Sequence, residues 1–225
     1  MPEDSRGGSD RVRSLESGLI ARSQKGDTRA FNQLVEMYQS GAYALALRML
    51  GDPEAAADVT QDAFFSAFRA INSFKGASFR AWLLRIVSNG CYDYWRAQGR
   101  RPATSLEAVL EDDRDGEAVG QGSDVRLPRA MIDPSWDPER VALKAEMIEQ
   151  IQAALLQLAP EQRLAVILSD VQGMPYEEIA RVMNTSLGTV KSRIARARTH
   201  LRGILVRQGE LFRGTGRPDG GQTFT

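Results

Sequence analysis

Apolar residues recur at intervals of three and four positions along two long stretches of this chain, and no segment shows a clear alternation of apolar and polar residues. That spacing puts apolar side chains on one face of an α-helix, whereas a half-buried strand needs a spacing of two. The first stretch includes Phe31, Leu34, Val35 and Tyr38, and the second includes Val141, Ile148, Ile151, Leu155 and Leu158. The sequence therefore predicts an all-α fold.

Glycine, aspartate and proline residues mark the helix boundaries. Gly51 suits the end of one helix, Asp52 the N-cap of the next, and Pro53 its first turn. An Asp-Pro pair recurs at 137–138 and predicts another helix start. Gly76 lies within "NSFKGASF", a segment that interrupts the helical pattern. The first stretch thus divides into several helices.

A strongly acidic segment separates the two helical stretches. Residues 105–124 hold seven Asp or Glu against one Arg, which gives a formal charge of −6. Such a segment buries too little apolar surface to fold and predicts a flexible linker. We expect two helical domains joined by this acidic linker, with a flexible tail at each end. The expected boundaries are 1–13 for the first tail, 14–102 for the first domain, 103–136 for the linker, 137–208 for the second domain and 209–225 for the last tail.

Composition limits the chemistry that the chain can perform. Its 225 residues carry a formal net charge of zero, with one cysteine and one histidine. Cys91 and His200 alone give little basis for a zinc site or for a Cys–His or Ser–His catalytic pair. The apolar run "GAYALALRML" is interrupted by Arg48 and is too short for a bilayer, which takes about 20 residues. We expect a cytoplasmic protein without membrane insertion, cofactor, metal or catalytic residue.

The second domain contains a helix-turn-helix pattern. The stretch from Leu187 to Arg202 holds five Lys or Arg and no carboxylate. Before it, Pro175 and two following glutamates suit a helix N-terminus, and "NTS" forms a short polar turn in which Ser186 can cap the next helix. A short helix, a tight turn and a basic helix form the arrangement with which many proteins enter the DNA major groove.

The basic helix has an apolar and a polar side on a helical wheel. The apolar side, expected to pack on the preceding helix, carries Val190, Ile194, Ala197 and Leu201. Arg196 lies opposite and can bond two acceptors on guanine, while Lys191 flanks it near the phosphates. The alternative is a solvated cationic face, which is the usual fate of a lone run of charge. The helix-turn-helix spacing favours DNA, and the candidate contacts are Thr189, Lys191, Ser192, Arg193, Arg196 and Arg198.

The first domain carries an acidic patch. Residues 51–68 contain four carboxylates and no basic residue. Helical spacings of three and four gather Asp58, Gln61, Asp62 and Phe65 into one patch. An exposed aromatic beside acids suits docking of a basic protein partner. A solvated acidic face with Phe65 in the core is an equally good interpretation of the composition.

Residues 79–101 have the opposite character. They hold five Arg against Asp93 alone, interleaved with aromatic residues. Cations for phosphates and rings for stacking are what single-stranded nucleic acid needs. The alternative is that Trp82 and Trp95 belong to the core, and we expect some of each. The loop "FKGASF" just before this segment is placed to touch an extruded base.

The chain resembles a bacterial RNA polymerase sigma factor of the extracytoplasmic-function group. The resemblance covers roughly residues 14–102 and 137–207. It rests, in chain order, on "DVTQDAFF", "FKGASFRAWLLRIVSN", "YWRAQGRR" and "LAPEQRLAVILSDVQGMPYEEIARVMNTSLGTVKSRIARAR".

The resemblance implies a promoter-specificity subunit, a set of partners and a role for each patch. It implies binding to core RNA polymerase through the β and β′ subunits, recognition of the −35 element as duplex by the basic helix, and capture of a flipped non-template base of the −10 element. The −10 contacts would be Phe74, Lys75, Phe79, Trp82, Asn89, Asp93 and Arg96. The contacts with the β′ clamp helices would be Asp58, Gln61, Asp62 and Phe65. The linker would thread towards the polymerase active-site and RNA-exit channel, and an anti-sigma factor would control the protein, with stress-response genes as targets.

Two other classes of protein compete with this interpretation. A stand-alone helix-turn-helix regulator would use its first domain to sense a ligand or to dimerise, but an acidic docking patch followed by an arginine–aromatic helix argues against it. An enzyme acting on nucleic acid would need a cluster of carboxylates or a nucleophile–base pair. The acidic run at 58–62 is the one candidate for such a cluster, and lone helical carboxylates seldom bind a metal.

Overall fold

The computed structural model describes residues 4–76, 78–100 and 138–215, and their side chains over 14–76, 78–99 and 145–207. These residues form helices and short connections, and none of them lies in a strand. The all-α prediction is confirmed. None of the described helices has the length and apolar character needed to cross a membrane. The predicted linker 103–136, the cap at Asp137 and the last tail beyond Thr215 lie outside the described residues.

The first domain is a bundle of four helices. A short 3₁₀ turn, Ile71–Ser73, leads from the third helix into the loop before the fourth. Helix α1 begins at Asp4, so the flexible tail expected up to residue 13 is helical from that point, because a helix propagates readily from an established turn. The helices are α1 Asp4–Ser23, α2 Thr28–Leu50, α3 Pro53–Ala70 and α4 Phe79–Arg100.

The boundary between α2 and α3 forms as the sequence predicts. Gly51 adopts a left-handed φ of 78° and its N–H bonds the carbonyl of Leu47, which ends α2. The Asp52 carboxylate then accepts from the N–H of Glu54 at 2.9 Å and of Ala55 at 3.3 Å. This cap satisfies N–H groups that have no partner inside the helix. The acidic helix therefore starts at a fixed position.

The second domain, in its described residues, has four helices and one irregular turn. The helices are α5 Pro138–Leu156, α6 Pro160–Val166, α7 Tyr176–Met183 and α8 Leu187–Thr215. Helix α6 runs into a π turn, Ile167–Val171, in which the N–H of Gln172 donates to the carbonyl of Ile167 at 2.9 Å. Helix α8 continues to Thr215, past residue 209 where a flexible tail was expected.

The apolar stripe predicted on α5 is only partly buried. Leu155 and Leu158, at and just beyond the end of the helix, are each 3% exposed, whereas Ile148 and Ile151 are 56% and 42% exposed. Helical spacing showed that these side chains share a face, but it did not show how far the neighbouring helices extend along it. The side chain of Val141 lies outside the described residues.

The two domains pack against each other. Buried residues of both belong to one continuous hydrophobic cluster, with α4 against α7 and the end of α2 against α5 and α6. Arg163 of α6 is 6% exposed and donates to the carbonyls of Leu156 at 2.6 Å, of Leu158 at 3.1 Å and of Met49 across the domain boundary. The sequence predicted two domains joined only by a linker, and this direct contact between the domains is the main difference between the predicted and the observed fold.

Candidate nucleic-acid interface

The turn between α7 and α8 fixes the direction of the basic helix. Asn184 ends α7 in the left-handed conformation, with φ 49° and ψ 52°, which Asn tolerates better than most residues. Ser186 then caps α8, because its hydroxyl accepts from the N–H of Thr189 at 3.1 Å. The cap predicted at Ser186 is confirmed, and the helix-turn-helix is present.

The two sides of α8 differ as the helical wheel predicts. Val190, Ile194 and Ala197 are at most 2% exposed. Lys191 and Arg196 are exposed on the other side. One side therefore anchors the helix while the other presents two cations to solvent, which is the arrangement needed for a helix in the major groove.

Arg198 differs from the other cations of α8. Its guanidinium forms a two-point ion pair with Asp170 of the π turn, with Nη2–Oδ1 at 2.6 Å and Nε–Oδ2 at 3.0 Å. This bond lowers the pKa of Asp170 and raises that of Arg198. The structure thus gives Arg198 a role in joining α8 to the π turn, and the role in DNA binding predicted for it is weakened because its charge is already compensated.

The remaining predicted contacts of α8 are partly engaged within the domain. The hydroxyl of Thr189 lies 2.8 Å from that of Ser186, and the hydroxyl of Ser192 donates to the Thr189 carbonyl at 2.9 Å. Arg193 is half-buried and lines a cavity of about 370 Å³ together with Asn89 of the first domain. These residues lie at the start of the helix, beside the exposed cations.

The loop before α4 rests on packed aromatic rings. Phe74 and Phe79 have ring centroids 5.7 Å apart, and Trp82 lies 5.2 Å from Phe74 and 5.5 Å from Phe79. Tyr38 of α2 packs on Phe79 at 5.5 Å. Phe79 is 1% exposed, so direct contact with a base is excluded for it in this structure, and we assign it to support of the loop. Phe74 is also buried, at 8%, while Trp82 is half-buried.

Gln24 of α1 holds the loop in place, a role that sequence reasoning missed. Its amide donates to the carbonyls of Ile71 at 3.1 Å and of Phe74 at 3.0 Å. A polar residue near the end of a helix carries no signal of such a distant bond. A side chain at Gly76 would come within 3.2 Å of the Phe74 ring, which explains a glycine there. The exposed Lys75 lines a cavity of about 340 Å³ above these rings.

Further along α4, three predicted −10 residues are exposed. Asn89 lies one turn before Asp93, and Asp93 forms an ion pair with Arg96 at 2.6 Å, with both side chains 69% exposed. Trp95 is half-buried beside Tyr92, with ring centroids 5.8 Å apart, and the guanidinium of Arg163 lies 5.2 Å from its ring. Burial raises the pKa of Tyr92 to about 12. Among the aromatic residues of α4, Phe79 is buried, whereas Trp82, Tyr92, Tyr94 and Trp95 are half-buried and pack against the core with part of each ring exposed, which agrees with the expectation of some of each.

The acidic patch on α3 borders an apolar groove. Asp58, Gln61 and Asp62 are exposed, and Phe65 is 54% exposed, so Phe65 does not belong to the core. The groove between α2 and α3 encloses about 740 Å³ and includes Phe65 and Phe68 in its lining. Apolar grooves edged by charge are typical of protein-binding sites.

Comparison with known proteins identifies the family. Residues 34–101 match sigma-70 region 2 and residues 148–201 match sigma-70 region 4. The chain is 38% identical over 183 residues to the ECF RNA polymerase sigma-E factor of Escherichia coli, which covers 80% of this chain and 88% of the relative. The chain belongs to the extracytoplasmic-function sigma factors of the sigma-70 family. This sigma factor is also 38% identical over 181 residues to the RNA polymerase sigma-H factor of Pseudomonas aeruginosa, with 80% and 88% coverage.

Two solved structures share the fold of this sigma factor. CnrH in complex with the cytosolic domain of CnrY matches with a TM-score of 0.58 and 27% identity, covering 86% of this chain and 98% of the other. The sigma factor RpoE from Bartonella quintana, in complex with the anti-sigma factor NepR, matches with a TM-score of 0.55 and 28% identity, covering 78% and 96%. The family confers promoter choice on RNA polymerase, and that is the role of this chain.

Proposed function

We propose that this sigma factor divides promoter recognition between three surfaces: the outer side of α8 for the −35 duplex, the loop and helix at 74–96 for the −10 strand, and α3 for core polymerase. The observation that carries the proposal is the exposure of Lys191 and Arg196 on a helix whose opposite side buries Val190, Ile194 and Ala197. A helix anchored in this way can enter a major groove without loss of its packing.

On α8, the exposed cations Lys191 and Arg196 have different tasks. A guanidinium can donate two hydrogen bonds to the O6 and N7 acceptors of guanine, so Arg196 reads a base. The ammonium of Lys191 interacts with phosphates, which carry no sequence information. Ser192 and Arg193 lie on the same stretch of helix and contribute at its edges.

At the −10 element, the loop offers an aromatic surface with polar residues beside it. Trp82 packs on Phe74 and Phe79, so that part of its indole is available for stacking with an extruded base. Stacking of this kind contributes about 1–3 kcal/mol per base. Lys75 and Asn89 contribute one cation and one amide beside this aromatic surface. Captured bases offset the lost pairing, and we assign no bond-making or bond-breaking step to this chain.

On α3, the groove and the carboxylates fit the basic clamp helices of the β′ subunit. Asp58 and Asp62 would steer the encounter and Phe65 would anchor it, because exposed aromatics beside charge are typical binding hot spots.

The place of action we propose is the cytoplasm, where polymerase and promoter DNA lie. Since the relative from Bartonella quintana was solved in complex with an anti-sigma factor, we also propose control of this chain by an anti-sigma factor.

The decisive test is transcription in vitro with purified core polymerase and genomic fragments, followed by mapping of start sites. The wild-type chain should direct initiation at defined positions. A double variant, Asp62→Arg with Phe65→Ala, should abolish this and lose core polymerase in a pull-down. The matched control is Glu36→Arg with Met37→Ala, an exposed acid and an exposed apolar residue of α2 that do not line the groove. Initiation that survives the first variant, or fails with the control, contradicts the proposal.

A further inference from the structure

The loop proposed to contact the −10 strand is held by a residue from another part of the first domain. Phe74, Lys75 and Gly76 lie outside any helix, between the 3₁₀ turn Ile71–Ser73 and α4. Backbone groups in such a segment are not fixed by a helical ladder, so side chains and neighbouring turns set their positions. The N–H of Phe74 donates to the carbonyl of Ile71 at 3.1 Å, and the carbonyl of Phe74 is fixed from outside the loop.

Gln24 fixes this carbonyl through its side-chain amide. Its Nε2 donates to the carbonyl of Phe74 at 3.0 Å and to that of Ile71 at 3.1 Å, so both N–H groups of one amide hold the start of the loop. The Phe74 ring lies 5.2 Å from that of Trp82, and both side chains line the cavity of about 340 Å³ beside the loop. Gln24 itself is not among the described residues that line this cavity. Any effect of Gln24 on a base in the cavity therefore passes through Phe74 and Trp82.

The turn between α1 and α2, which carries Gln24, is fixed at both ends. The N–H of Gln24 bonds the carbonyl of Ile20 at 2.9 Å, just beyond the end of α1. Gly26 has a left-handed φ of 88°, which glycine adopts without strain. Asp27 caps α2 and also accepts from the guanidinium of Arg22 at 2.6 and 2.9 Å, a bond that lowers the pKa of Asp27. Gln24 therefore has a defined backbone position from which its amide can hold the loop.

Helix α1 supports the same aromatic rings at a second point. Tyr38 of α2 packs on Phe79 with ring centroids 5.5 Å apart, and Phe79 lies 5.7 Å from Phe74. Burial, together with a hydrogen bond to Glu16 of α1, raises the pKa of Tyr38, so its hydroxyl stays protonated near neutral pH and keeps this bond. The first helix and the turn after it thus support the aromatic rings from two positions, Glu16 and Gln24.

We propose that Gln24 is a positioning residue for −10 recognition: it holds the Phe74 carbonyl so that Phe74 and Trp82 form a stacking surface before a base arrives. The inference rests on the −10 surface proposed above. A surface that is already formed loses less conformational freedom when the strand binds, and this raises affinity without any contact between Gln24 and DNA. Loss of Gln24 should therefore affect the captured base more than the contacts to the rest of the strand.

The test uses the full-length chain assembled with core polymerase and labelled single-stranded oligonucleotides from the −10 region of a mapped promoter. Each base is replaced in turn by an abasic site, and fluorescence anisotropy measures the affinity for each oligonucleotide. The position at which removal of the base weakens wild-type binding most marks the captured base. Gln24→Glu keeps the length of the side chain and removes both N–H donors. The matched control is Gln33→Glu, the same change at an exposed glutamine of α2 that does not line the groove.

We expect Gln24→Glu to reduce the ratio of the affinities for the intact and the most sensitive abasic oligonucleotide about fivefold, because the loss of a hydrogen bond has an effect of about this size. Affinity for the abasic oligonucleotide, affinity for a −35 duplex and capture of core polymerase in a pull-down should stay at the wild-type level. Gln33→Glu should match the wild type in every measurement. If circular dichroism shows that Gln24→Glu does not fold, Gln24→Met, which has a similar length with neither donor nor charge, should reduce the same ratio about threefold.

A folded Gln24 variant that keeps the wild-type ratio would overturn the inference. Equal weakening of the intact and abasic oligonucleotides, or loss of core polymerase, would also overturn it, because Gln24 would then support the whole domain rather than the stacking surface. If no abasic position weakens binding by the wild type, the proposed −10 surface is itself wrong and the inference fails with it. The wild-type measurement therefore distinguishes failure of the proposed function from failure of the role assigned to Gln24.

Discussion

At the scale of single residues, the exposed cations Lys191 and Arg196 of α8 should behave differently when each is removed. Arg196→Ala should cost about 1–3 kcal/mol at one position of the −35 element and relax base choice there, because a base contact is lost. Lys191→Ala should weaken binding evenly across sequences and reduce the salt slope by about one, because a phosphate contact is lost. Anisotropy against duplexes with single base-pair changes, at several salt concentrations, measures both effects. A uniform loss for both variants would contradict this orientation of the helix.

The ion pair between Asp170 and Arg198 makes a pH-dependent contribution to stability. The bond from Arg198 holds the pKa of Asp170 below its ordinary value of 3.8. A carboxyl with a lowered pKa in the folded state stabilises the protein above its unfolded pKa, and this contribution is lost as the pH falls through the folded value. Asp170→Asn should therefore reduce the free energy of unfolding near neutral pH by about 0.5 kcal/mol, a value discounted for exposure, and change it little once the pH lies below the pKa of Asp170 in the folded state.

Urea unfolding at several pH values measures this effect. Asp62→Asn, which replaces an exposed carboxylate on α3, provides the control and should leave the pH dependence close to that of the wild type. If acidification lowers the free energy of unfolding of the Asp170→Asn variant as much as that of the wild type, the ion pair contributes nothing to stability.

At the scale of helices, the cap of α8 links stability to DNA binding. Ser186→Ala removes the acceptor for the Thr189 N–H and should cost about 1 kcal/mol of unfolding free energy. Ser186→Asp should restore stability, because aspartate also caps and its charge favours the N-terminus of a helix. It should not restore DNA affinity, because the added negative charge lies beside phosphates. Thermal unfolding measures stability and anisotropy measures DNA affinity. Recovery of both stability and DNA affinity in Ser186→Asp would contradict this prediction.

Helix boundaries were the most predictable part of the fold, and contacts between separate helices and turns were the least predictable. Gly51, Asp52 and Pro53 act through bonds between near neighbours, which a sequence displays directly. The pair between Arg198 and Asp170 spans 28 positions and depends on a π turn that no residue pattern indicated. The exposure of Ile148 likewise depends on where neighbouring helices stop.

The candidate site shows the same division. The sequence left two environments open for Phe65, the core or an exposed patch. Its exposure of 54% follows from how α2 and α3 pack. Phe79 fell within a loop motif that suggested contact with a base, yet Tyr38, which covers it, lies in another helix. The motifs located the functional segments, while packing decided which of their side chains reach solvent.

At the scale of the whole molecule, a net charge of zero conceals separate acidic and basic surfaces. Carboxylates are concentrated on α3 and cations on α8, so that one chain can present opposite charges to polymerase and to DNA. The sequence showed this separation. It did not show the domain interface, because Arg163 and Gln152 bind backbone carbonyls of the first domain, and every residue carries a carbonyl.

The shared interface should make the two domains unfold together. Burial lowers the pKa of Arg163, but its guanidinium still bonds three carbonyls and lies against Trp95, so removal leaves a gap at the domain boundary. We expect one calorimetric transition for the wild type, with the measured enthalpy equal to the van't Hoff enthalpy. Arg163→Ala should lower the midpoint of the second domain and split the transition in two.

Arg69→Ala, an exposed arginine near the end of α3, is the control and should keep a single transition. Two transitions in the wild type would mean that the domains are already uncoupled, and a single transition in a folded Arg163→Ala variant would mean that the apolar contacts alone couple them.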